Sequence, residues 1–392
     1  MLKAFTSEPG SGCQLEMLST RRIAILTRQE VAELGAGDWV QASKTVEAIR
    51  ALGLNVQHLI IKEHDGRSSL SGDLKLVECS DLPGDLDVAH FIPGRLTRLL
   101  LEKWLKPLKK RPLLVGSTIF WTSRVHQSVC LRNCLAKRDR YLRSFKAFLR
   151  QPIKFGLFKH FDVLLTNSQA EIDVCRKTCK LKPGARFGNV PNGIDPIPPW
   201  AEECKAPQIL QGEEYIVCPG VFATRKNQLG FIRALRNTDY KVVFMGGPLD
   251  TPEHNNYYEI CRKEAPESWV FLGRIKHGSP EFYGVLRNAR VACLASSCET
   301  PGIAMLEAAS LGVRPAVTRE GCAAEYLGFD AEYLDPLNAD NIRRAIDRAW
   351  RRGRLPRESQ NAVRRFTWDA AARQTLSHYH EALEACRDHT RE

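Results

Sequence analysis

Ser297–Gly312 reads S-C-E-T-P-G-I-A-M-L-E-A-A-S-L-G. Just before it, V-A-C-L-A (Val291–Ala295) is a short apolar run of the kind that forms a buried strand. Gly302 then marks a turn and opens a helical run. A strand, a glycine turn and a helix in that order aim a helix N-terminus, with its unpaired N–H groups, at whatever lies above the turn, which makes an anion site. Glu299 stands beside that site. Glu307 stands five residues beyond Gly302, about 7–8 Å further along the helix at ~1.5 Å per residue. Two carboxylates do not suit phosphate itself. They suit the hydroxyl groups of sugars on either side of a diphosphate. On this stretch alone a plainer reading stays open, in which Glu307 is an early helical Glu favoured by the dipole and Glu299 an ordinary loop acid.

Working outward, C-P-G-V-F-A-T-R-K-N-Q-L-G-F-I-R-A-L (Cys218–Leu235) repeats the strand, glycine turn and helix. Arg225 and Lys226 fall at its turn, where two cations can neutralise a diphosphate. Further upstream lies N-V-P-N-G-I-D (Asn189–Asp195).

These three segments, in this order, resemble retaining nucleotide-sugar glycosyltransferases of family four, which have the GT-B fold. The family's E-x7-E motif is matched by Glu299 and Glu307. The Lys of its G-R-x-x-x-x-K-N segment maps onto Lys226, whereas its Arg maps onto Val221; some relatives carry an adjacent Arg-Lys at the turn instead, as Arg225-Lys226 does. The likeness continues through F-L-G-R-I (Phe271–Ile275) and R-F-T-W-D-A-A-A (Arg365–Ala372), and over the first half it holds only in outline.

The resemblance implies an α/β, GT-B architecture of two Rossmann-like, doubly wound domains facing a central cleft, and transfer of a sugar from a nucleoside-diphosphate donor with retention of configuration. It implies Glu299, Arg225 and Lys226 as catalytic, and Glu307, Thr300, Pro301, Gly302, Ile303, Ala304, Gly220 and Arg274 as donor-binding. It also implies no required metal and no cofactor beyond the donor. One departure stands out. Many relatives carry a His after the strand matched by Pro112–Gly116, and here the segment reads G-S-T-I-F-W; His126 lies several residues on, and His90 falls inside a strand as a packed or turn-facing residue. A sugar-nucleotide-binding protein of impaired activity and a sugar-nucleotide epimerase are the alternatives.

Composition sets the frame. A chain of 392 residues with 43% hydrophobic content suits two globular domains. No apolar stretch approaches the ~20 residues of a spanning helix. M-L-K-A-F-T-S-E-P-G-S-G lacks a signal-peptide apolar region. The 13 cysteines follow no framework spacing. Cys130/Cys134 and Cys175/Cys179 are i,i+4 pairs with no His–Cys set to complete a metal site, so buried thiols in a reducing cytosol are expected.

Formal charge is +12, and it is uneven: Arg95–Lys159 holds 17 Lys and Arg against Glu102 and Asp139 alone. Trp104, Trp121, Tyr141, Phe145, Phe148, Phe155 and Phe158 are interleaved. This block is expected on the outer face of the N-terminal domain, in peripheral contact with anionic membrane. A solvated basic face is the plainer reading, and nucleic acid is disfavoured. With the resemblance, the block places the chain in the cytoplasm, at the inner face of the membrane. The acceptor is then a lipid-linked or surface-polysaccharide glycan.

Alternating apolar runs and amphipathic segments organise the rest. Strands are expected at Arg21–Thr27, Asn55–Ile61, Asp87–Ile92, Pro112–Gly116 and Phe161–Ser168. In the second half they are expected at Tyr215–Pro219, Lys241–Met245, Trp269–Leu272, Val291–Ala295 and Arg314–Thr318. Gly35 and Gly37, after the first strand, permit close approach of a ligand on the acceptor side, or simply a tight turn. Residues 1–20 are expected to be disordered. An N-terminal acceptor-binding domain is expected over 21–190, a C-terminal donor-binding domain over 191–365, and a helix over 366–392 that crosses back. Asp85-Leu86-Asp87 is read as a turn leading into a strand, not as a metal-binding triplet.

Overall fold

The structure, a computed structural model, describes residues 12–34, 37–62, 75–93, 100–119, 125, 128–129, 132–133, 157–249 and 251–388. Two compact units account for the chain. One is 1–120, 152–193 and 367–392; the other is 121–151 and 194–366.

The first unit is built on a parallel sheet of β1 (Ile23–Arg28), β2 (Val56–Lys62), β3 (Lys75–Glu78), β4 (Val88–Phe91), β5 (Leu113–Ser117), β6 (Val163–Thr166) and β7 (Arg186–Asn189), in the order β3-β2-β1-β4-β5-β6-β7. The second has β8 (Tyr215–Pro219), β9 (Lys241–Met245), β10 (Val270–Gly273), β11 (Val291–Leu294), β12 (Arg314–Thr318) and β13 (Glu332–Leu334), in the order β10-β9-β8-β11-β12-β13, again all parallel. These are the two doubly wound, Rossmann-like sheets of a GT-B protein.

The pattern of the central strands explains their burial. Tyr215, Val217, Ala292 and Leu294 pack into one apolar layer, while Ile216, Cys218, Val291 and Cys293 pack into the other. Successive side chains point to opposite faces, so a strand covered on both faces must be apolar at every position. The unanticipated strands β3, β7 and β13 all lie at sheet edges. Their sequences, K-L-V-E, R-F-G-N and E-Y-L, are short and only partly buried, and carry no apolar run.

In the first unit a group of polar residues is buried. His90, on β4, binds Tyr379 through Nδ1 at 2.6 Å and Ser117 through Nε2 at 2.8 Å. Burial pushes its pKa down to about 3, so the ring is neutral. Helix α4 (Gln169–Thr178) starts at Ser168, whose Oγ accepts from Glu171 N at 3.0 Å; Glu171 in turn accepts from Asn167 N at 2.9 Å and from Thr118 Oγ1 at 2.8 Å. This is an S-x-x-E start signal with its acid turned inward.

Three expectations need correction. Residues 12–19, expected to be disordered, form helix α1 (Gly12–Ser19), which packs along the last helix of the described residues and buries Leu18; residues 1–11 lie outside the described residues. Arg132 and Asn133, in a stretch expected in the N-terminal domain, group with the second unit, and most of 121–151 lies outside the described residues. Asp85-Leu86-Asp87, by contrast, is a turn leading into β4 as expected, with its acids paired: Asp87 accepts from Arg22 N at 3.1 Å and pairs with Arg21 and Lys110, and Asp85 pairs with Arg22. Gly37 is the first residue of α3 (Gly37–Ala51), with open space where a Cβ would sit, so nothing in the backbone there requires glycine. Gly35 and His126, and most of the basic aromatic block, lie outside the described residues.

Candidate functional site

In the second unit the strand order reverses between β8 and β11. The loops leaving the carboxyl ends of those two strands therefore part in opposite directions, opening the crevice where open α/β sheets bind ligands. The β8 loop carries Arg225 and Lys226. The β11 loop carries Glu299.

Lys226 closes a 3-10 turn, Thr224–Lys226, and the next residue, Asn227, takes a left-handed conformation with φ 55° before α5 (Gln228–Leu235) begins. Lys226 Nζ donates to Glu299 Oε1 at 2.7 Å, with side-chain exposures of 12% and 4%. Burial lowers the Lys226 pKa, and the Glu299 charge works against that. Burial raises the Glu299 carboxyl, but Lys226, Arg225 and hydrogen bonding outweigh it and hold the carboxyl below its usual range. Lys226 and Glu299 thus form a salt bridge, with Arg225 exposed beside it.

The Glu299 backbone is fixed by the loop after β12. Its N–H donates to Glu320 O at 3.0 Å, and its carbonyl accepts from Cys322 N at 2.9 Å. Between those residues Gly321 has φ +107°, and a Cβ there would stand 2.0 Å from Glu299 O. Ser297 N donates to Arg225 O at 2.7 Å, stitching the two strand-end loops together.

Helix α8 (Ile303–Ser310) follows Gly302, whose φ is +85° and whose Cβ position lies 3.2 Å from Glu299 Oε2. Met305 N donates to Gly302 O at 2.8 Å, so the N–H groups of Ile303 and Ala304 precede the helix's own ladder. Thr300 and Pro301 form the connection. A cation pair, a carboxylate and a helix N-terminus thus meet at one place.

Glu307, buried on α8, lies apart from Glu299's partners. Its Oε1 is 2.5 Å from Nε2 of His277. Sequence reasoning missed His277. It sits in the loop after β10, in G-R-I-K-H-G, with positive-φ glycines at 273 and 278; that pair of glycines was the available signal for a shaped loop. Arg274, in the same loop, donates to Pro248 O at 2.5 Å and lies along Gly247, so it braces the loop after β9 rather than joining the ion pair. Gly220, with φ +116°, packs against Gly246, where a Cβ would lie 2.0 Å from its carbonyl oxygen.

Residues 201–366 match the glycosyl transferases group 1 family. The match covers the second unit from β8 to β13 and so contains every residue of this site. No curated protein sequence matches the chain. Solved structures give the fold over nearly its whole length. Sucrose-phosphate synthase from Thermosynechococcus elongatus superposes with TM-score 0.64 at 16% identity, covering 93% of this chain and 100% of the other. The lipopolysaccharide outer core galactosyltransferase WaaB gives 0.62 at 12% identity, covering 92% and 99%. Anabaena HepE in complex with UDP and glucose gives 0.59 at 13%, covering 90% and 98%. Among the described residues, no helix is long and apolar enough to cross a membrane.

Proposed function

We propose that the chain moves a sugar from a nucleoside-diphosphate donor to a glycan acceptor with retention of configuration. The observation that carries this reading is the Lys226–Glu299 pair at 2.7 Å, set at the strand-order reversal beside the start of α8.

The chemistry follows from the charges. As the sugar–phosphate bond breaks, its electron pair stays on the leaving diphosphate. Lys226, Arg225 and the N–H groups of Ile303 and Ala304 meet that charge with cations and dipoles already in place, which is where fixed electrostatics contribute most. Glu299 orients the Lys226 ammonium and accepts hydrogen bonds from the transferred sugar. Glu307 accepts from the ribose hydroxyls. The acceptor oxygen forms the new bond on the face that the diphosphate leaves, and its proton passes to a diphosphate oxygen. In this reading protein groups alone meet the charge, and the donor is the only small molecule besides the acceptor. A lipid-linked or surface-polysaccharide acceptor, held near anionic membrane by the basic block, suits the charge distribution of the sequence.

The test is a panel of nucleotide sugars scored for thermal stabilisation and for nucleoside-diphosphate release. A bound donor at about 100 times its dissociation constant should add about 2.7 kcal/mol. If no donor either stabilises the protein or is consumed, the reading is wrong. Val221, standing where the resembled family has Arg, favours one second reading: binding without turnover. It predicts stabilisation without release of the diphosphate.

The two glutamates should separate kinetically. Glu307→Ala should weaken donor binding by about 10- to 100-fold, because a hydrogen bond to a charged group contributes about 1.5–3 kcal/mol, with a smaller effect on turnover at saturation. Glu299→Ala should lower kcat more than it raises KM. Matching kinetics in the two variants would remove the basis for assigning them to opposite ends of the donor.

A further inference from the structure

Asn133 is a buried amide from the 121–151 segment, 2% exposed. Its Nδ2 donates to Thr224 O at 2.8 Å and to Asn227 Oδ1 at 3.0 Å. Those two residues bracket Arg225 and Lys226. Asn227 passes the connection on: its Nδ2 donates to Ala295 O at 3.0 Å, at the end of β11, and to Pro336 O at 2.9 Å, after β13. Next to Asn133, Arg132 donates to Leu337 O at 3.1 Å. One short stretch, remote in sequence, therefore touches the loops leaving β8 and β13, and it reaches the loop leaving β11 through Asn227.

The turn needs such support. Asn227 is the one non-glycine residue with positive φ among the described residues, and a conformation of that kind persists where its surroundings over-determine it. Gly230 leaves room for the Asn227 amide, since a Cβ there would lie 2.5 Å from Asn227 Oδ1. The position of a buried ammonium depends on this backbone, because the Lys226 side chain projects from the residue just before Asn227.

We propose that Asn133 is a positioning residue of the donor site, whose amide sets the Thr224–Asn227 turn and through it the aim of Lys226 and Arg225 at the donor's diphosphate. The inference rests on the nucleotide-sugar reading. It gives part of the basic block a task apart from any membrane, since residues 132 and 133 contact the loops of the site.

The experiment compares binding of a nucleoside diphosphate with binding of the corresponding nucleoside, by calorimetry, in wild type, Asn133→Ala and Asn133→Ser. The base and donor panel identifies which nucleotide to use. Positioning predicts that diphosphate affinity falls about tenfold in Asn133→Ala while nucleoside affinity stays within twofold. The serine variant keeps a shorter donor, so it should lie between the two and provides the measurement if the alanine variant does not fold. In a Lys226→Ala background, loss of Asn133 should have a smaller further effect on diphosphate binding, since only Arg225 is left for it to aim. A merely structural role would instead lower both affinities together and add in full to Lys226→Ala. Equal diphosphate binding by wild type and both variants overturns the proposal and leaves the donor-site reading standing. If wild type binds no nucleoside diphosphate, both fail together.

Discussion

Lys226→Ala should reduce nucleoside-diphosphate release by about 10²–10³-fold, the usual effect of removing one preorganised group that stabilises developing negative charge. A second effect has to be separated from it. Glu299 is 4% exposed and loses its 2.7 Å partner, and a buried charge left unpaired typically costs about 3–5 kcal/mol. The single variant should therefore melt at a lower temperature as well as react more slowly. Adding Glu299→Gln removes the orphaned charge. The double variant should recover much of the lost stability and none of the lost turnover. Recovery of both would show that Lys226 serves the fold alone. Arg225→Ala should also slow turnover, with little loss of stability because its side chain is exposed. Wild-type rates in Arg225→Ala would mean that it does not replace the Arg for which Val221 stands.

The second large effect is on acid stability. His90 has a folded-state pKa of about 3 against an ordinary value of 6.5. Between those values the unfolded chain binds a proton that the folded chain does not, so stability falls as pH falls. The contribution is fully present above about pH 6.5. It diminishes by about 2 kcal/mol by pH 5 and by about 5 kcal/mol by pH 3, at 1.36 kcal/mol per pH unit. His58, lowered to about 4 by burial and by Arg50, has the same sign. Carboxylates held low, such as Asp87, lose their contribution only below about pH 4, so pH 7.5 to 5 isolates the histidines. Urea unfolding across that range should show a steep loss in wild type and a shallower one in His90→Gln, which keeps an uncharged amide in place of the ring. Parallel slopes would exclude His90 as the source.

Both effects arise from groups that the sequence exposes unequally. The strand and helix alternation was legible because buried parallel strands such as Ile216–Cys218 must be apolar on both faces. The Lys226–Glu299 meeting was legible because each residue sits in a strand–glycine–helix unit, and units of that kind place their turns along one edge of the sheet. His277 was not legible: a lone histidine in a loop has no period, and its contact with Glu307 depends on where β10 lies relative to α8. Asn133 was less so. Its partners are 91 and 94 residues away, and its own surroundings, rich in Arg and Lys, point to a surface. The edge strands β3 and β7 escaped because an edge needs only one neighbour and little apolar cover. Gly37 shows the opposite error, a glycine whose residue type suggests a ligand loop while its backbone is ordinary helix.

The last helix, α12 (Trp368–Asp388), carries Tyr379, the hydroxyl that binds His90. It packs on α3, and its residues group with the first unit, although the whole of β8–β13 lies between in sequence. This order has a consequence for synthesis. The ribosome finishes the second sheet before it makes the residue that completes the first. Until residues 368–388 emerge, the His90 ring lacks its phenol and α3 lacks its covering helix. The half made first is therefore completed last, and a nascent chain stalled near residue 366 would present a finished second sheet beside an unfinished first one.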